Sequence, residues 1–207
     1  RKTQFLDLTA GPYTVRILNS NAYDIYTHFI NKATVACLGE TCPVCSNNQR
    51  LIMEDQEHFR DHKGYSPKSR RYAVNVLDKT MVRKCPKCGA ENSDLSPSGI
   101  ACHSCKELLA SVTPAPSMTV KVMAKGVSLF DQLNSIDSAI LKPDGEPVGI
   151  TNYDITLIVN GSGKTRTITA IPLITSTDPV PEGLELYDLE TTTIKLTGEE
   201  LLDLQRG

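Results

Sequence analysis

Two groups of cysteines, one of them accompanied by a histidine, have the spacing of metal ligands. The first group lies in residues 28–45, HFINKATVACLGETCPVC, and consists of His28, Cys37, Cys42 and Cys45. The two-residue gap of the C-P-V-C pair lets both thiolates face one ion. One nitrogen and three sulfur ligands complete the tetrahedral shell of Zn²⁺ and leave no position for a catalytic water. We therefore predict a structural zinc site here.

The second group consists of two C-x-x-C pairs that are thirteen residues apart: Cys85, Cys88, Cys102 and Cys105. This is the spacing of a zinc ribbon and predicts a second Zn²⁺ ion. Among the seven cysteines of the chain, the other three are those near His28. His58 and His62 are alternative fourth ligands, and His103, inside its pair, is predicted not to bind metal. Disulfides are disfavoured because C-x-x-C pairs make poor structural disulfides, so we expect a reducing compartment.

Charge is distributed unevenly along the 207 residues. The formal net charge is −2, but residues 1–130 carry 17 basic and 11 acidic side chains, whereas residues 131–207 carry 5 and 13. Global charge therefore does not indicate a polyanionic partner, and such a partner must be argued from a local patch. No apolar run approaches the ~20 residues of a membrane helix.

Alternating hydrophobic patterns predict a mainly β protein. The predicted strands are residues 13–18, 23–30, 72–77, 118–123, 153–159 and 165–171, and the predicted helices are residues 51–60, 127–136 and a short one beginning at 197. Short strands with two zinc modules favour a small OB-type barrel. We predict a first part of the core in residues 1–80 with the zinc loop at 28–45, an inserted ribbon at 81–113, a second part of the core at 114–175 and an acidic C-terminal segment at 176–207.

Aromatic and basic residues are interleaved in the first half of the chain. Residues 60–87 hold nine basic and two acidic side chains. Bases stack on aromatic rings at ~1–3 kcal/mol each while lysine and arginine contact phosphates, so this composition is typical of single-stranded nucleic-acid binding. The alternative is an aromatic core beside a solvated basic loop. The predicted contact residues are Tyr23, Tyr26, Phe29, Lys63, Tyr65, Lys68, Arg70, Arg71, Tyr72, Lys125, Lys164 and Arg166.

Six sequence pieces between residues 5 and 172 follow one another in the order of a known family. They are G-x-x-x-x-R-I-L at 11–18, an aromatic strand with a histidine at 26–29, a cysteine and C-P-x-C loop at 37–45, Y-x-V-N-V at 72–76, K-G-x-x-x-F-D-x-L at 125–133 and a hairpin opened by Y-D-I at 153–171. In this order the chain resembles the tailed-phage single-stranded DNA-binding, or helix-destabilising, protein family. The ribbon at 85–105 departs from the family's pattern.

The resemblance implies an OB-fold core with an embedded His-Cys-Cys-Cys zinc site and no catalysis. It also implies sequence-independent binding that protects and organises single-stranded DNA in phage replication, recombination and repair, with copies associating along the strand. The location implied is the cytoplasm of the bacterial host. An acidic C-terminal segment in such proteins competes for the basic groove and recruits replication and recombination proteins; the alternative is a solvated surface helix.

Two other functions remain open on the sequence. A zinc-stabilised protein-interaction adaptor of a replication or transcription complex would keep both metal sites and bury the aromatic rings. Single-stranded RNA is the other alternative ligand, because stacking platforms tolerate either sugar. We predict that the chain is not an enzyme. The G-S-G-K-T run at 161–165 lacks the first glycine of a phosphate-binding loop, whose place is taken by Ile158.

Overall fold

The computed structural model describes residues 2–93, 101–193 and 195–206, without the side chains of Ser93, Lys164 and Arg206. The chain divides into two compact units. Unit 1 comprises Arg1–Asn21, Val74–Met123 and Ser128–Tyr187, and unit 2 comprises Ala22–Ala73, Ala124–Val127 and Asp188–Gly207. Each unit is thus assembled from separate stretches of the chain.

Ten strands and three α-helices lie in the described residues. The strands are β1 (Gly11–Ile17), β2 (Tyr23–Ile30), β3 (Ala33–Ala36), β4 (Ser69–Asp78), β5 (Met81–Lys84), β6 (Glu91–Ser93), β7 (Ala115–Pro116), β8 (Thr119–Gly126), β9 (Asp154–Asn160) and β10 (Thr167–Leu173). The helices are α1 (Pro43–Glu54), α2 (Val127–Ala139) and α3 (Gly198–Arg206). The prediction of a mainly β protein is confirmed, and the sheets are antiparallel.

Unit 1 is built on an antiparallel sheet in the order β10, β9, β1 and the second half of β4. The strand β8 also pairs with β4. Val15 of β1 lies opposite Ile155 of β9 and is fully buried. The apolar residues of β9 recur at every second position, at 155, 157 and 159, and all three are buried. This period of two is what the sequence pattern predicts for a strand with one face on a core.

Unit 2 contains the β2–β3 hairpin and the first half of β4, which pairs with β2. The hairpin turns at Asn31 and Lys32, whose φ angles are 46° and 67°. Two successive positive φ angles match the right-handed twist of the flanking strands, which is why two-residue hairpins use them. The helices α1 and α3 pack against each other in this unit.

The ribbon forms a separate three-stranded sheet in the order β6, β5, β7. It lies between β4 and β8 in the sequence and belongs to unit 1. Leu109 is fully buried beside Cys85 and Cys102, so a small apolar cluster accompanies the cysteines.

The helix predicted at residues 51–60 was placed wrongly. α1 runs from Pro43 to Glu54, and a single 3₁₀ turn, Phe59–Asp61, follows it. Proline fits the first turn of a helix, where its missing N–H would have no intrahelical partner, so the C-P-V-C motif itself begins the helix. Leu51 and Ile52, the first residues of the predicted helix, lie in the last turn of α1.

No helix in the described ranges combines the length and apolar character needed to cross a membrane.

A buried charge network crosses the unit 1 sheet from β1 to β9. Arg16 Nε donates to Asp154 Oδ1 at 2.6 Å, and Lys79 Nζ donates to Asp154 Oδ2 at 2.6 Å. Arg16 also donates to the carbonyl oxygens of Ser176 and Asp178, which ties the segment after β10 to the sheet. Burial acts to raise the pKa of Asp154, but hydrogen bonds from Lys79, Ser176 and Arg16 together lower it below its usual value. The carboxylate therefore remains charged in the folded protein.

We expect Asp154→Asn to lower the free energy of unfolding at pH 7 by ~3–5 kcal/mol, because it leaves the buried Arg16 and the half-buried Lys79 without a counter-charge. The lowered pKa of Asp154 means that its contribution is present above the unfolded pKa and is lost as the pH falls through the folded pKa. The difference between wild type and variant should therefore narrow below about pH 4. Urea denaturation at a series of pH values measures this. Asp131→Asn, an exposed change on α2, is the control.

Candidate metal centres and nucleic-acid interface

The four ligand atoms of the first cysteine and histidine group come together in unit 2. The side-chain nitrogen and sulfur atoms of His28, Cys37, Cys42 and Cys45 all lie within 4.8 Å of one another. His28 Nε2 is 3.5 Å from Cys42 Sγ and 3.4 Å from Cys45 Sγ, and the Sγ atoms of Cys37 and Cys45 are 3.6 Å apart. Metal–sulfur and metal–nitrogen bonds of ~2.3 and ~2.0 Å at tetrahedral angles give ligand separations of about 3.5–3.8 Å. The cluster therefore has the dimensions of a tetrahedral metal site.

Three elements of unit 2 supply these ligands. His28 comes from β2, Cys37 follows β3 and is held by a hydrogen bond from its N–H to the carbonyl oxygen of Tyr26, and Cys42 precedes α1. Cys45 lies in the first turn of α1, so the helix N-terminus directs backbone N–H groups at the sulfurs. Burial acts to raise the pKa of the Cys42 thiol, but hydrogen bonds from backbone N–H groups, first that of Cys45, lower it overall. The thiolate that a metal requires is thus stabilised by the backbone.

A pair of polar residues outside the cluster fixes the orientation of the His28 ring. His28 Nδ1 lies 2.9 Å from the carbonyl oxygen of Ser66, so Nδ1 is the donor and Nε2 is left to bind a metal. Asn48 Nδ2 donates to the same carbonyl, and Asn48 Oδ1 accepts from the Ser66 N–H at 3.0 Å. Asn48 lies three residues after Cys45 on the same side of α1. Sequence reasoning missed this support, because nothing in the sequence around Asn48 indicates it.

The ribbon cysteines form a second cluster in unit 1. The Sγ atoms of Cys85 and Cys105 are 3.5 Å apart, those of Cys88 and Cys102 are 3.6 Å apart, and all four lie within 4.8 Å. Hydrogen bonds from backbone N–H groups, first that of Cys105, lower the pKa of Cys102 to about 6. This cluster also has the dimensions of a tetrahedral site.

The other histidines lie outside both clusters. His103 Nδ1 is 2.8 Å from Asn92 Oδ1, which also accepts from the His103 N–H, and Asn92 Nδ2 is 3.8 Å from Cys102 Sγ. Asn92, which the sequence analysis did not select, therefore supports the second cysteine pair. His62 Nε2 lies 3.1 Å from Asp55 Oδ2, and His58 is exposed.

Five side chains form one face of the β2–β4 ladder, called here the Tyr26 face: Asp24, Tyr26, Lys68, Arg70 and Tyr72. In the ladder Tyr26 lies opposite Arg70 and Asp24 lies opposite Tyr72, so these four side chains project on the same side. Lys68 Nζ lies 4.3 Å from the centre of the Tyr26 ring, and Arg70 Cζ lies 5.0 Å from that of Tyr72. Arg70 Cζ is also 5.8 Å from the Tyr26 ring centre. Aromatic rings and cations therefore alternate along this face.

Asp24 belongs to the same face and was not among the predicted contact residues. Its carboxylate accepts three hydrogen bonds from Arg70, two from Nε and one from Nη2 at 2.6 Å. The ion pair is partly exposed, with 48% of the Arg70 and 35% of the Asp24 side chain accessible. The hydrogen bonds to Asp24 raise the pKa of Arg70. Arg70 is thus held beside the Tyr72 ring.

The remaining predicted contact residues are not on the Tyr26 face. Tyr23, Phe29 and Arg71 are on the opposite face of the same ladder, because they occupy the alternate positions of β2 and β4. Tyr65 packs edge-on against Phe59, with the ring centres 5.1 Å apart. The other four are basic residues elsewhere in the chain. Lys63 is exposed in a loop of unit 2, Lys125 is half-buried in β8, and Lys164 and Arg166 lie between β9 and β10 in unit 1.

We expect two metal ions per chain, one for each cluster, because the two ligand sets are separate and complete. His28→Ala and Cys102→Ser should each lower the content to one ion, and the double variant should bind none. His103→Ala, which changes a histidine outside the clusters, should keep both ions. Native mass spectrometry with elemental analysis measures the content. Two ions in the double variant would contradict the assignment of these ligands.

The sequence was compared with models of known protein families and with curated proteins. No family model matches the chain, and no curated protein matches it. The chemistry of the two clusters and of the Tyr26 face is therefore the basis on which a function is proposed.

Proposed function

We propose that the protein binds single-stranded DNA without sequence preference, through the Tyr26 face. The observation that carries the proposal is the alternation of Lys68, Tyr26, Arg70 and Tyr72 on one side of the β2–β4 ladder. Rings offer surfaces for unpaired bases, and the cations between them lie where a backbone running along the face would bring its phosphates. Duplex DNA keeps its bases stacked internally and offers this face only phosphates.

The free energies of the individual contacts favour replacement of the contacts within the Tyr26 face by contacts with a single strand. A cation over an exposed ring contributes ~0.5–1 kcal/mol, whereas a base stacked on the ring contributes ~1–3 kcal/mol. A partly exposed ion pair such as Asp24–Arg70 contributes ~0–1 kcal/mol. A phosphate that replaces Asp24 at Arg70 also releases counterions from the DNA. A strand that displaces Lys68 from the Tyr26 ring and Arg70 from Asp24 therefore gains more than these contacts contribute.

We propose that the ion in each cluster is Zn²⁺. Thiolate and imidazole ligands at tetrahedral separations suit this ion, which has no geometric preference of its own. Four protein ligands leave no coordination position for water or substrate, so both ions have a structural role and the protein is not an enzyme.

The first zinc site would hold the Tyr26 face in shape. His28 follows Tyr26 by two residues on β2 and projects to the same side, and Ser66, which orients His28, precedes Lys68 by two residues. An ion at His28 therefore fixes the strand ends from which Tyr26 and Lys68 project. Loss of the ion would remove the alignment of the face as well as the local fold.

The proposed architecture is an OB-type core with a zinc loop and an inserted ribbon. The mainly β fold and the His-Cys-Cys-Cys cluster support a variant of the tailed-phage single-stranded DNA-binding family, from whose pattern the ribbon departs. In that context the protein would protect and organise single strands in phage replication, recombination and repair within the bacterial host. Other replication proteins and further copies of the chain are the partners expected.

The zinc-loaded protein should bind a labelled dT oligonucleotide more tightly than the matched duplex. Because several phosphates are neutralised, the affinity should fall with salt, with a log–log slope of about −0.7 for each phosphate contacted. Fluorescence anisotropy at several salt concentrations measures both quantities, and an oligo-rU probe tests the sugar preference. Absence of binding at low salt would refute the proposal, and tighter binding of oligo-rU than of dT would shift it to RNA.

Tyr26→Ala should weaken binding to the dT oligonucleotide by ~1–3 kcal/mol, because it removes a stacking surface. Tyr23→Ala is the matched control, since the two rings are 39% and 41% exposed but lie on opposite faces of the ladder. The control should bind as wild type does, and both variants should keep their metal. Equal weakening by the two changes would show that the Tyr26 face is not the site.

A further inference from the structure

The C-terminal helix packs on the first metal cluster. Leu201 of α3 is fully buried in an apolar cluster that contains the metal-ligand candidate Cys42 together with Ile30, Val35 and Val44. Leu196 and Leu204 pack against the same cluster, as do Cys37 and Cys45. The acidic Glu199 and Asp203 lie on the exposed side. The segment predicted from its composition as an acidic tail thus places an apolar face against the metal site.

Polar contacts stabilise the start of α3 locally and hold its end to other segments of unit 2. At its start, Thr197 Oγ1 accepts from the Glu200 N–H at 3.3 Å while Glu200 Oε2 accepts from the Thr197 N–H at 2.7 Å, which is a capping box. At its end, Asn31 Nδ2 donates to the carbonyl oxygen of Leu204, and Gln205 Nε2 donates to that of Gly64. Asn31 is in the hairpin turn three residues after His28. α3 therefore contacts the β2–β3 hairpin and the segment that leads to Ser66.

We propose that docking of α3 and metal binding at His28, Cys37, Cys42 and Cys45 are one coupled equilibrium. The inference rests on the metal-binding part of the proposed function and is independent of DNA binding.

The physical basis is that neither partner is stable alone. A helix of nine residues is marginal in water, so α3 requires the apolar surface on which Leu201 packs. That surface is made by β2, β3 and α1, which the four ligands join. Conversely, α3 covers the sulfurs and fixes the hairpin turn beside His28, so its loss lets water and chain motion reach the site. Because binding couplings are reciprocal, each event must strengthen the other by the same factor.

Co²⁺ titration of the full chain tests the coupling, because a three-sulfur, one-nitrogen site and a four-sulfur site have different ligand-field spectra. Leu201→Asp places a charge in the apolar cluster and should undock α3. We expect it to weaken Co²⁺ binding at the His28 site by at least ~10-fold, as loss of outer support does elsewhere. The ribbon site, in unit 1, should keep its wild-type affinity and serves as an internal control.

Two milder variants keep the test decisive if Leu201→Asp disrupts unit 2 altogether. Glu200→Ala removes the side-chain half of the capping box and should give a smaller loss of affinity at the same site. Glu199→Gln changes an exposed residue of the same helix and should leave both affinities unchanged. The converse experiment uses trypsin, since Lys195 precedes α3 and its side chain is 56% exposed. Removal of the metal should accelerate cleavage after Lys195.

Two results distinguish failure of the coupling from failure of the proposed zinc site. If the wild-type protein shows only the four-sulfur spectrum, the His28 site does not bind metal and the proposed zinc site fails. If the His28 site binds Co²⁺ normally in Leu201→Asp while cleavage after Lys195 is fast, α3 is undocked without effect and the coupling is overturned.

Discussion

The approach of the His28 imidazole to the sulfurs of Cys42 and Cys45 is the contact on which unit 2 depends. Unit 2 buries few large apolar side chains, whereas the sheet of unit 1 buries a continuous set from β1, β4, β8 and β9. A small unit without a large core requires another source of stability, and a metal ion at this cluster would supply it by linking folding to binding. The His28 ring links the β2–β3 hairpin to the start of α1 and to the segment around Ser66. The alignment of the Tyr26 face and the apolar surface on which α3 packs both depend on that attachment.

Unit 1 is stabilised in a different way. Its apolar strands pack around buried carboxylates, of which Asp154 is neutralised by two cations and Asp78 by Lys121. Such an arrangement contributes specificity more than stability, because satisfied buried charges fix the positions of their partners while unsatisfied ones are costly. The Arg16 guanidinium binds both Asp154 of β9 and the segment that follows β10. The same side chain therefore fixes β9 beside β1 and the segment after β10 against the sheet. The ribbon adds a second metal cluster to this unit, with its own small apolar centre at Leu109.

Local sequence patterns were sufficient to predict the strands and the candidate metal ligands. The alternation of apolar residues predicted the bounds of β2 and β9 to within one residue. The spacing of the cysteines, together with His28, identified two clusters whose ligand atoms lie close together in the structure. Four features had no local signal in the sequence. The start of α1 at Pro43 was hidden by a motif also compatible with a loop, and the support of His28 by Asn48 joins residues twenty apart. The separation of Tyr23 from Tyr26 depends on the pleat, in which a shift of one residue exchanges the faces. The docking of α3 is a contact between distant segments that composition does not reveal.

The two-residue spacing between Tyr26 and His28 has a consequence for how this chain can vary. Tyr26 and His28 share a face only because a single residue, Thr27, lies between them. If the ion keeps His28 in place, insertion or deletion of one residue at this point would turn Tyr26 to the opposite side of the sheet. The same holds between Ser66 and Lys68. The exposed side chain at position 67 can be exchanged and the buried Thr27 only for one of similar size, but the lengths of these two short segments are fixed. Length, more than residue identity, is therefore the property that variants of this protein must preserve there.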